Sequence, residues 1–218
     1  MALKSTHRWD AEYSARIDLF GMNPTKELLT SINLIGEPGT ALDAGCGNGR
    51  DTIALLRYGY QVVAMDSSSG AIDALQTLAA RYRLPTDRLD AKVADVVTFN
   101  CGVEQFDVVN CVTLLDHLSS ELVGPVIEKL LRATRIGGTC VFQVLTTEDP
   151  AVTGKGSKSE FATEIDHYFA PNELLRFCIP AIRVIYYEER MEWDFDHGEP
   201  HQHAMAVLVG TKHKGNSP

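Results

Sequence analysis

Three glycines spaced two residues apart stand where an apolar strand meets a helix. The run Ala41–Ala44 is short, apolar but for one aspartate, and leads into Gly45, Gly47 and Gly49. Glycine accepts positive φ angles, and without a Cβ it lets a ligand approach the backbone closely. Arg50 begins an amphipathic stretch. This order of elements predicts a βα turn that holds a nucleotide-like cofactor at the carboxyl end of the strand.

Short apolar runs alternate with amphipathic stretches along the chain, which is typical of a parallel α/β sheet. Strands are expected at residues 40–44, 61–65, 91–93, 106–111 and 139–145, and a C-terminal hairpin at 182–187 and 204–211. Helices are expected at residues 9–20, 24–34, 50–58, 71–82 and 121–134. Glycine ends helices by adopting a left-handed conformation, so Gly137 and Gly138 are expected to end the last of these.

The 218 residues fit a single domain. We divide it into N-terminal cap helices (1–38), a cofactor-binding core (39–145), a lid-like loop (146–170), and a C-terminal helix with a hairpin (171–212). The loop contains a polar stretch rich in glycine and serine. Loops of this length in a compact domain are usually functional or disordered.

Charge and composition restrict the partners. The formal net charge is -9, and no basic run exceeds two residues, which argues against nucleic acid and against an anionic membrane surface. None of the five cysteines forms a C-x-x-C pair, and the first ten residues lack the apolar core of a signal peptide. We therefore expect a cytoplasmic protein with free thiols, a small-molecule acceptor, and a monomeric or homodimeric state.

Carboxylates follow the first three predicted strands at positions suited to a nucleoside. Asp43 precedes the glycines, where it can meet a cationic amine. Asp66 comes 21 residues after the first glycine and suits vicinal ribose hydroxyls. Asp95 and the backbone N–H of Val96 suit an adenine ring. An ordinary turn and helix caps are the alternatives, whereas Arg50 replaces the third glycine of a dinucleotide fingerprint and disfavours NAD.

These residues resemble the class I S-adenosylmethionine-dependent methyltransferases, from about residue 41 to 145. The runs FDVV at 106–109 and RIGGT at 135–139 extend the resemblance, and GCGNGRDTIALLRYGYQVVAMD looks like the tellurite-resistance (TehB-like) branch. The resemblance implies a Rossmann-like, seven-stranded, mostly parallel sheet whose last strand is antiparallel, with helices on both faces. It implies S-adenosylmethionine as cofactor and S-adenosylhomocysteine as product. The predicted cofactor-binding residues are Tyr13, Asp43, Gly45, Gly47, Asn48, Gly49, Asp66, Ser67, Asp95, Val96 and Cys111.

Two histidines are candidates for a general base. His117 lies in the loop after the fourth predicted strand, and its unperturbed pKa lies near working pH. Packing or capping of the following helix is the alternative. His167 ends the lid-like loop, and a structural entry into the next helix is its alternative.

The sequence constrains the residues that contact the methyl acceptor less than those that contact the cofactor. Trp9, Tyr168, His201 and His203 are predicted to contact the acceptor. His197, His201 and His203 could orient an anionic substrate or bind a metal, but no cysteine or carboxylate spacing supports a metal, so none is assigned. Residues 197–203 also lack the arginine that the TehB-like resemblance leads us to expect.

The favoured function is methyl transfer to a small-molecule nucleophile, with a hydroxylated or amino metabolite as acceptor. A thiol- or chalcogen-detoxifying methyltransferase is one alternative, and it would need no general base. A protein that binds S-adenosylmethionine without turnover is the other.

Overall fold

A computed structural model describes the backbone of residues 3–214 and the side chains from residue 8 to residue 214. Seven strands form one sheet in the order β3-β2-β1-β4-β5-β7-β6. The strands are β1 (Thr40–Ala44), β2 (Gln61–Asp66), β3 (Leu89–Val93), β4 (Phe106–Val112), β5 (Thr134–Leu145), β6 (Ile182–Asp194) and β7 (His201–Lys212). Strands β1 to β5 are parallel, and β7 runs antiparallel to both β5 and β6. The predicted fold class is confirmed.

Helices cover both faces of the sheet. They are α1 (Leu3–Ala15), α2 (Lys26–Ile35), α3 (Arg50–Arg57), α4 (Ser69–Arg81), α5 (Ser120–Ala133), α6 (Pro150–Thr153) and α7 (Glu173–Cys178). In α5 the buried residues Val123, Val126, Ile127 and Leu130 recur at helical spacing and form its core-facing stripe. None of the described helices is long and apolar enough to span a bilayer.

The central strands are buried on both faces, as expected for a parallel sheet between helices. Leu42 and Val109 pack on one side in a cluster with residues of α5 and α7. Ala41 and Val108, their neighbours along the same strands, pack on the other side with residues of α2, α3 and α4. The strand order reverses between β1 and β4, and such a switch point opens a crevice at the carboxyl ends of the strands.

Several predicted boundaries are wrong. The first helix is α1, which ends at Ala15 rather than at residue 20, so that Phe20 lies in the connection to α2. Gly137 and Gly138 do not end a helix, because α5 already ends at Ala133 and both glycines lie inside β5. There the register with β4 shifts, from the Phe106–Thr134 pair to the Val108–Thr139 pair. The hairpin strands β6 and β7 also extend further into the polar segment than predicted.

Helix α1 is attached to the N-terminus of α4 through one aspartate. Asp10 Oδ1 accepts hydrogen bonds from Ser68 Oγ (2.7 Å) and from the backbone N–H of Gly70 (3.1 Å). A carboxylate at a helix N-terminus also interacts favourably with the helix dipole. The Ser68 hydrogen bond lowers the pKa of Asp10. This attachment holds the N-terminal helix over the carboxyl ends of β1 and β2.

Candidate active site

The glycine turn after β1 has the geometry that its sequence predicts. Gly45, Gly47 and Gly49 have φ angles of 71°, 51° and 87°. A Cβ on Gly47 would lie 2.6 Å from the phenolic oxygen of Tyr13, and a Cβ on Gly49 would lie 2.3 Å from Leu75 Cδ1. Side chains at these positions are therefore excluded by both φ and space. The turn borders the crevice at the end of β1, with Tyr13 packed directly on it.

Asp66, at the end of β2, is anchored beside this turn. Its carboxylate accepts hydrogen bonds from the backbone N–H of Gly47 (3.0 Å) and of Ser68 (2.9 Å). Burial raises the pKa of Asp66, while these two hydrogen bonds oppose the rise. The carboxylate is thus oriented by the backbone, and it lines the same cavity as the turn.

Below the turn, two buried carboxylates share one amide. Asn110 Nδ2 donates to Asp43 Oδ1 (2.9 Å) and to Asp51 Oδ2 (3.1 Å). Thr52 Oγ1 donates to the other oxygen of Asp43. Burial, and next the Asp51 charge, raise the pKa of Asp43 to about 7. Paired like charges of this kind are typical of functional sites, and a cationic ligand would relieve the repulsion.

A single cavity of about 410 Å³ joins these groups to the opposite wall. Its volume falls within the range of small-molecule sites. On the cofactor side it is lined by Asp43, Gly45, Cys46, Gly47, Asn48, Asp51, Asp66 and Ser67. On the far side it is lined by His117, Gln143, Asp149, Tyr168, Arg190, His197, His203 and Met205.

Aromatic side chains roof the cavity. The Trp9 ring lies with its centroid 5.0 Å from Phe161 and 6.0 Å from Tyr13, and Phe20 lies 5.9 Å from Phe161. All four rings line the cavity. Aromatic faces attract cations, so this roof suits a positively charged ligand group. Trp9 and Tyr13, which we predicted at the site, therefore lie there.

His117 lies in the cavity wall as a neutral imidazole. Its Nδ1 lies 2.8 Å from the carbonyl oxygen of Glu164, an acceptor that requires Nδ1 to carry the proton. Burial lowers the pKa of His117. Nε2 consequently holds the lone pair, and no described residue hydrogen-bonds to it. The ring is positioned by an edge contact with Trp9, at a centroid distance of 5.5 Å.

Thr113, just after β4, has strained backbone in the cavity wall. Its φ of 48° is unusual for a β-branched residue. Its backbone N–H donates to the carbonyl oxygen of Gln143 at 2.8 Å, which fixes the loop that leads to His117. Strain of this kind clusters at functional sites.

Six predicted site residues do not line the cavity. His167 bonds Glu173 at 3.1 Å, which fits the structural alternative. Cys111 is fully buried in the core, and Gly49 packs on Leu75. The others are His201, Asp95 and Val96.

His201, Asp95 and Val96 lie outside the cavity lining for different reasons. The His201 ring lies behind His203, with the two Nε2 atoms 3.1 Å apart, so it does not reach the acceptor side. Asp95 is exposed, and its carboxylate accepts from the backbone N–H of Val97 at 2.7 Å as a turn cap. Val96 packs in the core. The adenine assignment of Asp95 and Val96 stays a prediction.

Among the cavity residues that were not predicted are Asp51, Asn110, Arg190 and Gln143. Asp51 and Asn110 belong to the buried network, and the Asn110 position directly before Cys111 at the end of β4 could have indicated it. Arg190 was missed because arginine was sought in residues 197–203, whereas it lies on β6. Its guanidinium bonds Glu27 (2.9 Å), which reduces the charge available to an anion. No pattern in the sequence indicated Gln143, which lies on β5, as a site residue.

The segment expected to be lid-like, residues 146–170, forms one side of the cavity. Phe161 and Ser159 are buried in it despite the polar sequence around them. Arg8 of α1 forms a salt bridge with Glu164. Phe161, packed among the roof residues, joins this segment to the N-terminal helix.

The comparisons with known proteins agree with this geometry. Residues 41–138 match the family model described as a methyltransferase domain. The chain is 28% identical to hemagglutinin 1 of Eikenella corrodens, over 72% of this chain and 51% of that protein. It is 24% identical to a ubiquinone biosynthesis O-methyltransferase of Actinobacillus pleuropneumoniae serotype 7, over 63% of this chain and 62% of that protein. The chain thus covers less than two thirds of either relative.

Solved structures share the fold. TehB from Haemophilus influenzae superposes with a TM-score of 0.70 at 20% identity, covering 86% of this chain and 62% of that one. The N-methyltransferase NodS from Bradyrhizobium japonicum WM9, in complex with S-adenosylhomocysteine, has a TM-score of 0.68 at 15% identity, covering 95% and 98%.

The matched domain and the fold agree with the class that the glycine turn predicted. Residues 41–138, just under half of the chain, match a methyltransferase domain, and the fold is shared with TehB and with NodS, whose structure contains S-adenosylhomocysteine.

Proposed function

We propose that this protein transfers a methyl group from S-adenosylmethionine to a hydroxyl or amino group of a small molecule bound in the cavity. One observation carries the proposal. A single cavity runs from the glycine turn and Asp66 to a neutral histidine, His117, under an aromatic roof. We propose further that the acceptor is neither nucleic acid nor lipid bilayer, and that the protein is cytoplasmic and monomeric or homodimeric.

The residues at the turn fit the cofactor. S-adenosylmethionine, when bound, supplies an electrophilic methyl group on a sulfonium. Asp66, oriented by two backbone N–H groups, would accept hydrogen bonds from ribose hydroxyls. Asp43, which also faces the cavity, would meet the cationic amine. Trp9 and Tyr13 would contact the sulfonium through their rings, where aromatic faces favour positive charge.

His117 would remove the proton of the acceptor. Its Nδ1–H donates to the Glu164 carbonyl, which leaves Nε2 to act as the base toward an acceptor in the cavity. A hydroxyl needs such a base, because its own pKa lies far above working pH. The aromatic roof, in which Tyr13 and Phe161 are buried, would limit the access of water that competes for the base. Similar proteins include enzymes for O- and N-acceptors, since one relative is an O-methyltransferase and NodS is an N-methyltransferase.

The experiment compares wild type with His117→Gln on a panel of phenols, amines and thiols, with product detected by mass spectrometry. We expect methylation of a phenol or amine, and a loss of kcat of about 10²- to 10⁴-fold in His117→Gln. His167→Gln is the matched control, because His167 lies outside the cavity and should leave kcat within about twofold.

Each outcome bears on the proposal. Turnover of thiols alone, unchanged in His117→Gln, would replace it with a thiol- or chalcogen-directed enzyme that needs no base. Tight cofactor binding with no product from any acceptor would support the non-catalytic alternative instead.

A further inference from the structure

Four potential metal ligands meet where β6 and β7 join. Asp194 pairs with His201 across the two strands, so both side chains lie on one face. His203 lies two residues further along β7 and shares that face. His197 lies in the connecting loop. One ligand atom from each of the four residues lies within 4.8 Å of the other three.

The hydrogen bonds of two of these histidines leave their lone pairs facing each other. His201 Nδ1 lies 2.8 Å from the Glu199 carbonyl oxygen, and His203 Nδ1 lies 3.0 Å from Asp149 Oδ2. Both partners are acceptors, because Asp149 already accepts from the N–H groups of Ala151 and Ala204. Each Nδ1 must therefore carry a proton, which leaves both Nε2 atoms unprotonated. They lie only 3.1 Å apart.

Two lone pairs at this distance repel unless a cation lies between them. Either an additional proton or a metal ion can fill that role. The surroundings of His197 distinguish a shared proton from a metal ion. His197 is 5% exposed, and its ring centroid lies 4.8 Å from that of His201. Its Nδ1 has no hydrogen-bond partner, although Asp194 Oδ2 lies 3.4 Å away. A shared proton between His201 and His203 would leave that buried nitrogen without a hydrogen bond, whereas a metal ion would bind both it and the Asp194 carboxylate.

We propose that Asp194, His197, His201 and His203 bind one divalent transition-metal ion, with Zn²⁺ the best fit. Three imidazoles and a carboxylate are ligands that Zn²⁺ accepts in tetrahedral geometry. Neighbouring ligand atoms in such a site lie about 3.3 Å apart for bonds of about 2.0 Å. The His201–His203 pair already has that spacing. The widest separation of 4.8 Å would close by small side-chain rotations of the loop residue His197 and of Asp194 at the strand end.

The hydrogen-bond partners of the two histidines also fit a metal. Metal-bound histidines usually donate their other N–H to a carboxylate or a backbone carbonyl, which fixes the ring and strengthens the ligand. Asp149 and the Glu199 carbonyl provide these two partners for His203 and His201. Asp149 lies at the start of α6, in the segment expected to be lid-like. The ion would therefore join the hairpin to that segment.

This site is separate from the glycine turn, and its existence does not depend on methyl transfer. His203, His197 and Asp194 also line the cavity, so the ion would lie in the wall on the acceptor side. Loss of metal binding and loss of methylation can thus be measured independently, the first without any acceptor.

The test titrates Zn²⁺ into chelator-stripped wild type in competition with a chromophoric chelator. We expect one equivalent to bind with a Kd of about 1 µM or tighter, and Co²⁺ to give the visible absorption of a tetrahedral complex. His201→Ala and His203→Ala should bind at least about 100-fold more weakly, and Asp149→Asn about 10- to 100-fold more weakly. His213→Ala, at an exposed histidine, is the control and should bind as wild type does.

Folding of each variant is verified by circular dichroism before titration, and the wild-type result does not depend on any variant. Absence of stoichiometric Zn²⁺ binding by wild type would overturn the proposal in favour of a shared proton. Equal binding by His201→Ala, His203→Ala and His213→Ala would also overturn it, because the ion would then be bound elsewhere.

Discussion

Cofactor affinity should depend on the ionisation of Asp43. The Asp43 pKa is raised to about 7 in the protein without ligand, by burial and by the neighbouring Asp51 charge. A cationic amine bound beside it would favour the ionised carboxylate. Binding should therefore release a proton at pH values below about 7, and affinity should rise with pH through that range.

The size of the expected change in Kd follows from the pKa of Asp43. A carboxyl group with a pKa of about 7 is about 9% ionised at pH 6.0 and about 76% ionised at pH 7.5. An amine with a pKa of about 7.7–8.0 stays mostly protonated over this interval. The protonated fraction of the amine falls to about 60–75% at pH 7.5, so the Kd for S-adenosylmethionine should fall about five- to sixfold from pH 6.0 to pH 7.5, which equals about 1 kcal/mol.

Isothermal titration calorimetry at both pH values measures the change, and two buffers of different ionisation enthalpy report the released proton. Asp43→Asn should abolish the pH dependence. Asp51→Asn should move it to lower pH, because the like charge that raises the Asp43 pKa is gone. A fall in Kd of about five- to sixfold that persists in Asp43→Asn would refute the reasoning, as would a wild-type Kd that does not change with pH.

Two further perturbations test the scaffold. Gly47→Ala places a Cβ 2.6 Å from the Tyr13 phenol at a φ of 51°. It should therefore cost about 1–2 kcal/mol of stability and weaken cofactor binding, measured by calorimetry, at least about tenfold. Unchanged affinity would contradict the close packing of turn and roof. Asp10→Ala removes the hydrogen bonds to α4 and should lower Tm by about 2–4 °C at pH 7. Since the Asp10 pKa is lowered, the difference should vanish as the pH falls through that pKa, and a difference that persists in acid would point to lost packing instead.

Local patterns predicted most of the fold. Strand β1 begins and ends at the predicted residues, and β2 and β4 extend one residue beyond theirs, because short apolar runs between breakers leave little freedom. The errors lie where tertiary pairing overrides a local signal. Gly137 and Gly138 resemble a helix stop, yet pairing with β4 draws them into β5. The polar residues 188–194 look like a loop, yet they pair with β7 and complete the sheet edge.

Prediction of the site was uneven for a similar reason. The sequence predicted that Asp43, Gly47 and Asp66 lie at the site, because their spacing from the strands is the one that nucleoside-binding geometry requires. His167 and His201 have the right chemistry, but their side-chain directions depend on contacts with Glu173 and with His203. Residue spacing in the sequence cannot predict such contacts.

The sequence by itself determined the glycine turn after β1 and predicted the class of protein. That information is local, since a strand, three glycines and an aspartate at the next strand end specify one geometry whatever surrounds them. Only the tertiary structure decided what shares the cavity with that turn. Asp51 meets Asp43 through Asn110, and Phe161 reaches Trp9 over more than a hundred residues of chain. The pKa of Asp43 and the facing nitrogens of His201 and His203 arise from burial and proximity, which depend on the packing of the whole chain.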